Sequence, residues 1–277
     1  MVEILDDDLV PFLQWALPKL GYRWRGYRKV RGQVKKRIAR RLDELELRRL
    51  DDYRSYLSEH GEEWERLDEF CHITISRFYR DRQTWDGMRQ LVLPELAGRA
   101  RGQDRDLLRA WSVGCASGEE PYTLRLCWEL DDERPWKDLD LVIDAIDADE
   151  HMIERAKKAV YPPGNLKALP PSWRERAFHR EDGEYRLRER FRRQVTLAAA
   201  DLRQAEPDHP CDIVLCRNMA FMYFDAAGRE ETLEKFANLI APGGALLVGN
   251  HDVVPDRPDL FSPWADVDNT WRRTGSR

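Results

Sequence analysis

A chain of 277 residues with 42% hydrophobic content has enough apolar mass for one large domain or two modest ones. Its net charge of −5 gives no general attraction to nucleic acid, and no apolar run is long enough to span a membrane. Five cysteines, at 71, 115, 127, 211 and 216, are odd in number and fall in apparent core segments. Free thiols in a reducing compartment fit them better than disulfides. No C-x-x-C or paired-histidine spacing occurs, so no metal site is expected. With no basic–apolar–small leader in evidence, the expected location is the cytoplasm.

Residues 1–100 read as a helical domain. Val30, Val34, Ile38, Leu42 and Leu45 recur at three- and four-residue steps and make one apolar stripe. The same region holds a block from Arg23 to Arg41 with ten Lys or Arg residues and no Asp or Glu. Such a block suits an acidic partner, or serves only as a solvated helix face. Further helices are expected over Leu47–Leu57 and Trp64–Phe70. The polar, glycine-containing stretch 98–104 marks the boundary to a second domain, 101–277.

That second domain alternates short apolar strands with helices. Strands are expected at Leu107–Val113, Leu139–Ile146, Val195–Ala199, Ile213–Cys216 and Ala245–Gly249, reading like strands of a parallel sheet buried on both faces. Helices are expected at Glu119–Leu130, Asp149–Ala159 and Ala226–Ile240. The fold class is therefore α/β, an open doubly wound Rossmann-like sheet with ligands at the carboxyl ends of its strands, preceded by an all-helical domain. Two proline clusters near residues 161–194 break the alternation, and a small antiparallel insertion is expected there.

The first strand runs into Gly114-Cys-Ala-Ser-Gly118, then Glu119-Glu-Pro121, a turn followed by a helix start. Glycine lets a ligand approach the backbone closely. Neither a G-x-G-x-x-G pattern nor a phosphate-loop G-K-[ST] is present, so a nucleoside triphosphate is not expected. Asp147 ends the second strand, where a carboxylate can accept both hydrogens of a ribose diol or cap the next helix.

The string Gly114–Thr123 resembles the cofactor turn of the CheR-type protein-glutamate O-methyltransferases. Three more blocks resemble that family in the same order, Ser76–Asp81, Asp144–Asp149 and Asp212–Asn218 with Tyr223-Phe-Asp225, and a fifth, Leu239–Gly249, resembles the late strand entry common to many methyltransferases. The resemblance covers nearly the whole chain and implies a methyltransferase of the Rossmann-like class I type using S-adenosyl-L-methionine. It implies cofactor contacts from Thr74, Ser76, Arg80, Gly114, Glu119, Asp147, Asp201, Leu202, Arg217 and Asn218. Arg80 and Tyr223 are the expected catalytic residues, facing the methyl group from opposite domains, with Arg80 in the helical one. The implied substrate is an acidic helical, chemoreceptor-like protein docked on Lys36, Arg37, Arg40 and Arg41, with neither nucleic acid nor membrane insertion, and the chain is expected to be a monomer.

Several departures from the family pattern concern the site. Thr74 and Ser76 stand where family members usually carry asparagine and threonine, and Asp201 where asparagine is common. Four residues rather than three separate Asn218 from Tyr223. Gly249-Asn-His-Asp252 replaces a more usual Gly-x-Ser-Glu. Two other functions remain open: methylation of another protein or a small molecule, and a cofactor-binding regulator without turnover. No general base is needed for a glutamate acceptor, whose unperturbed pKa of about 4.3 leaves it ionised at neutral pH.

Overall fold

The computed structural model describes residues 2–132 and 134–275. The chain forms two compact units: Met1–Ile73 with Met222–Arg229, and Thr74–Phe221 with Glu230–Arg277.

The first unit is helical, with α1 (Asp6–Ala16), α2 (Trp24–Tyr27), α3 (Arg31–Glu44), α4 (Leu50–Glu59) and α5 (Glu63–Cys71). Three acidic residues open α1 and two open α4, where the helix dipole favours them. On α3 the apolar stripe buries Val34, Ile38, Ala39 and Leu42, and the helix packs on α5. Val30 and Leu45 fall at the ends of this helix and are only half-buried. The segment Met222–Arg229 is tied to this unit by backbone hydrogen bonds from Arg23 N to Tyr223 O and from Asp225 N to Gly21 O, both 2.8 Å.

The second unit begins with α6 (Arg82–Gly87), a helical stretch Met88–Val92 and α7 (Leu93–Gly102). The boundary expected at residue 100 therefore lies at 73/74. The reason is packing: Trp85, Met88, Val92, Leu93, Leu96, Ala97 and Ala100 are buried in the same core as the sheet strands. Then follow β1 (Leu107–Val113), α8 (Glu119–Leu130), β2 (Asp140–Asp147), α9 (Glu150–Lys158), β3 (Val160–Tyr161), α10 (Pro171–Ala177), β4 (Phe178–Glu181), β5 (Glu184–Leu187) and β6 (Val195–Ala199). The remainder is β7 (Cys211–Cys216), α11 (Ala220–Tyr223), α12 (Ala226–Leu239), β8 (Ile240–Val248), β9 (Phe261–Pro263) and β10 (Thr270–Arg273).

Seven strands form the main sheet in the order β6-β2-β1-β7-β8-β10-β9. The first five are parallel, and β10 runs antiparallel between β8 and β9. The crossovers leave β1 in one direction toward β2 and β6, and the other half of the sheet starts at its opposite neighbour, β7. That reversal opens a crevice at the carboxyl ends of β1, β2 and β7. The central strands are apolar because both faces are covered, as β7, buried throughout, illustrates. Strand β6 differs from the expectation: it is an edge strand, and Thr196, Ala198 and Ala199 are exposed. The insertion folds as a three-stranded antiparallel sheet, β3-β5-β4. All five cysteines are buried free thiols, and no described helix is long and apolar enough to cross a membrane.

Candidate active site

At the carboxyl end of β1 the chain turns through Gly114 (φ +70°), Ala116 (φ +48°) and Gly118 (φ +87°) before entering α8. The left-handed geometry at Gly114 would strain any side chain, and a Cβ there would come within 2.9 Å of Met219. Asp147, on the neighbouring strand end, fixes this turn. Its Oδ2 accepts from Ala116 N at 2.8 Å and its Oδ1 from Asp149 N at 2.9 Å. Capping of α9 falls instead to Asp149, whose side chain accepts from His151 N and Met152 N.

The two glutamates opening α8 have different surroundings. Glu119 is buried, and its Oε1 accepts from Ser117 Oγ at 3.0 Å and from Asn165 Nδ2 at 2.6 Å. Burial pushes its carboxyl upward, while hydrogen bonds from its own backbone, Ser117 and Asn165 favour the charged form. Glu120 accepts from Ser112 Oγ at 3.2 Å and lies 3.5 Å from Arg217 Nη1. Burial raises it to about 7, against the pull of Arg217.

Arg217 is the centre of a buried polar cluster. Its Nη2 donates to Asp81 Oδ2 at 2.6 Å and to the Arg80 carbonyl at 3.0 Å, and its guanidinium lies 5.3 Å from the Trp85 ring centroid. Its side chain is 3% exposed. Arg217 thereby anchors the Arg80–Asp81 loop, where Tyr79 and Asp81 both have positive φ. Asp81 is clamped from its other oxygen by Asn250 Nδ2 at 3.0 Å.

Arg80 behaves differently. It is half-buried, and its guanidinium donates to the Ile75 carbonyl at 3.2 Å and to Asn218 Oδ1 at 3.5 Å. Both partners are neutral. Among the described residues Arg80 has no ion pair within 4 Å; the neighbouring Asp81 belongs to Arg217. Asn218 takes φ +55° at the end of β7, and its N–H donates to Asp252 Oδ2 at 2.8 Å. The same oxygen accepts from Gly249 N, so Asp252 staples the ends of β7 and β8.

These contacts bring Gly114, Asp147, Glu119, Arg80, Arg217 and Asn218 to one end of the sheet. Asp201 follows β6, one residue beyond Ala200, whose N–H donates to the Asp147 carbonyl at 3.0 Å. The Asp201 carboxylate is engaged by Arg203 at 2.6 Å, and Leu202 is buried with its carbonyl accepting from Lys235 at 2.9 Å. Thr74 and Ser76 are half-buried in the irregular stretch before Phe78. Tyr223 and Arg80 fall in the opposite units from those expected: Arg80 with the sheet, Tyr223 with the helices, its ring 4.8 Å from that of Tyr27.

Of the four basic residues expected to dock a partner, two are committed elsewhere. Arg37 donates to the carbonyls of Phe70 and His72 at 2.9 and 2.6 Å, closing the carboxyl end of α5. Arg41 makes a double hydrogen bond to Glu63, at 2.9 and 2.7 Å. Lys36 and Arg40 are exposed on α3, one turn apart, and neither has an ion pair among the described residues.

The expected site residues do not include Asp81, Asn165 or Asp252. Asp81 and Asp252 lie within blocks that had been singled out. Asn165 follows a proline pair in the insertion and carries no local signal. Among the described residues no cluster of metal-ligating side chains occurs.

A doubly wound sheet with a glycine turn after β1, an acidic residue ending β2 and one antiparallel strand near the far edge defines a class I methyltransferase. The residues present suit S-adenosylmethionine: Asp147 offers a fixed carboxylate to hydroxyls, Glu119 one to an ammonium, and the turn presents bare backbone. Residues 74–267 match the CheR methyltransferase, SAM binding domain, and the chain belongs to that family. Its cofactor is accordingly S-adenosylmethionine. The chain is 31% identical over 196 residues to a chemotaxis protein methyltransferase of Listeria monocytogenes, covering 70% of this chain and 71% of that one. It is 27% identical over 266 residues to chemotaxis protein methyltransferase 2 of Vibrio cholerae, covering 94% and 90%. To the chemotaxis protein methyltransferase of Salmonella typhimurium it is 29% identical over 233 residues, covering 80% and 76%.

Proposed function

We propose that this methyltransferase forms methyl esters on glutamate side chains of an acidic, helical, chemoreceptor-like protein. The observation that carries this reading is Arg80, a half-buried guanidinium at the cofactor end of the sheet whose own partners are neutral oxygens. An arginine so placed is available to a carboxylate, which it can hold through two parallel hydrogen bonds. The names of the relatives support the same substrate class.

When bound, S-adenosylmethionine supplies a methyl group on a positively charged sulfur. Asp147 accepts the ribose hydroxyls, and Glu119 receives the amino group of the cofactor's amino-acid end. Asp201 and Leu202 would hold the adenine end, Asp201 accepting from its amino group, and Thr74, Ser76 and Asn218 would complete the polar lining. Arg80 would orient a carboxylate, which at neutral pH is already ionised and needs no base to take a proton from it. Alignment and removal of water from the carboxylate and the charged sulfur then account for most of the rate. Lys36 and Arg40 attract the acidic helix of the partner.

The test is incubation with methyl-labelled cofactor and a helical cytoplasmic fragment of a chemoreceptor, followed by mild alkali. Release of the label as methanol is expected. Label that stays on the protein through alkali would overturn the ester reading and point to methylation at nitrogen.

A further inference from the structure

Glu119 has two side-chain partners, and one of them comes from outside the Rossmann-like core. Asn165 lies in the short helical turn Pro163–Leu166 that follows β3 of the insertion. Its amide Nδ2 reaches Glu119 Oε1 at 2.6 Å, the shortest of the hydrogen bonds on that carboxylate. A carboxylate can only accept, so Asn165 must present its NH2 end. The backbone around Asn165 is fixed on both sides. Its N–H donates to the Pro162 carbonyl at 3.0 Å, and its own carbonyl accepts from Phe78 N at 3.0 Å. Nearby, Tyr161 Oη donates to the Ser117 carbonyl at 2.7 Å, tying the same segment to the glycine turn.

We propose that Asn165 is a positioning residue for the cofactor's amino-acid end, aiming the Glu119 carboxylate from the inserted subdomain. The inference rests on the reading of Glu119 as the ligand of that amino group. Its physical basis is simple. A carboxylate buried this deeply rotates about its last torsion unless donors hold it, and Ser117 Oγ, 3.0 Å from both oxygens, does not select one orientation. Asn165 does, by engaging Oε1 alone. It also counteracts the burial that favours the neutral acid, keeping charge available for an ammonium. Through its carbonyl the same residue holds Phe78, two positions before Arg80.

The experiment compares two ligands of the full chain by calorimetry. S-adenosylhomocysteine carries the amino-acid end, and 5′-methylthioadenosine lacks it. Asn165→Ala should weaken S-adenosylhomocysteine about tenfold, the size expected for one hydrogen bond to a charged group, and leave methylthioadenosine within about twofold. Glu119→Ala should show the same selectivity, and the double variant should be little worse than Glu119→Ala. Equal losses for both ligands would assign Asn165 a merely structural role, and unchanged S-adenosylhomocysteine binding would remove any role; either overturns the inference. If Glu119→Ala itself leaves S-adenosylhomocysteine unaffected, the reading of Glu119 fails first and the inference with it. Should Asn165→Ala not fold, Asn165→Ser keeps a shorter donor and serves the same comparison.

Discussion

Both units carry arginines at positions expected to matter for function, and the units differ in how many of those cations are already committed. In the helical unit Arg37 and Arg41 are turned inward onto the end of α5 and onto Glu63, leaving Lys36 and Arg40 to the solvent. In the sheet unit the division is sharper. Arg217 holds Asp81, the Arg80 carbonyl and Glu120, while Arg80 holds only neutral oxygens. A charge already paired with a carboxylate builds the molecule, and one without such a partner is available to a ligand. Arg217 and Arg80 look alike in the sequence and have different partners in the structure.

The largest expected effect tests the building half of that contrast. Arg217→Ala leaves Asp81 and Glu120 without their cation in a buried setting, which should cost about 3–5 kcal/mol of stability in a urea titration. A loss below about 1 kcal/mol would place Arg217 with the ligand-facing arginines instead. Glu120 sharpens the same point through pH. Its folded pKa of about 7 exceeds the ordinary 4.5, so the folded state binds the proton more tightly than the unfolded chain. The stabilisation this gives is complete below the unfolded value and is lost as pH rises through about 7, at most about 1.4 kcal/mol per pH unit. Glu120→Gln should flatten that fall between about pH 5 and about pH 8; an unchanged slope would assign it to other groups.

The ligand half of the contrast predicts a smaller effect of another kind. Arg80→Ala should change stability by no more than about 0.5 kcal/mol, since it breaks no ion pair. It should nevertheless slow single-turnover methyl transfer at saturating cofactor by at least about tenfold, or about 1.4 kcal/mol. Wild-type rates in this variant would show that the Arg80 guanidinium takes no part in the chemical step.

Much of the fold was legible because periodicity reports burial. Strand β1 and helix α8 have the limits the sequence suggested, and the central strands read as apolar runs because both of their faces are covered. Strands β9 and β10 were missed, being three and four residues long with little apolar pattern. The domain boundary was misplaced because Gly98–Asp104 looks like a linker, whereas the helices before it are fixed by tertiary packing against the sheet. At the site, residues carried by strand ends and glycine turns could be named from local sequence. What could not be read was pairing across long separations. Arg217 meets Asp81 across 136 positions and Asn165 meets Glu119 across 46, and no local pattern encodes either.

The smallest effect tests the helical unit. Lys36 and Arg40 stand one turn apart on α3, exposed, and neither forms an ion pair among the described residues. Exposed charges contribute little to folding, so Lys36→Glu with Arg40→Glu should leave the melting temperature nearly unchanged. If they steer an acidic helix, the pair should raise the Michaelis constant for a receptor fragment severalfold while cofactor affinity holds. Added salt should weaken the wild type in the same direction, because such charges are screened beyond about 8 Å at physiological ionic strength. Arg41→Ala provides the contrast within the same helix. It strips the buried Glu63 of its double hydrogen bond and should cost stability, on the order of 1.5–3 kcal/mol. A Michaelis constant that ignores both salt and the Lys36–Arg40 reversal would leave the exposed pair as solvated surface and confine recognition to the sheet unit.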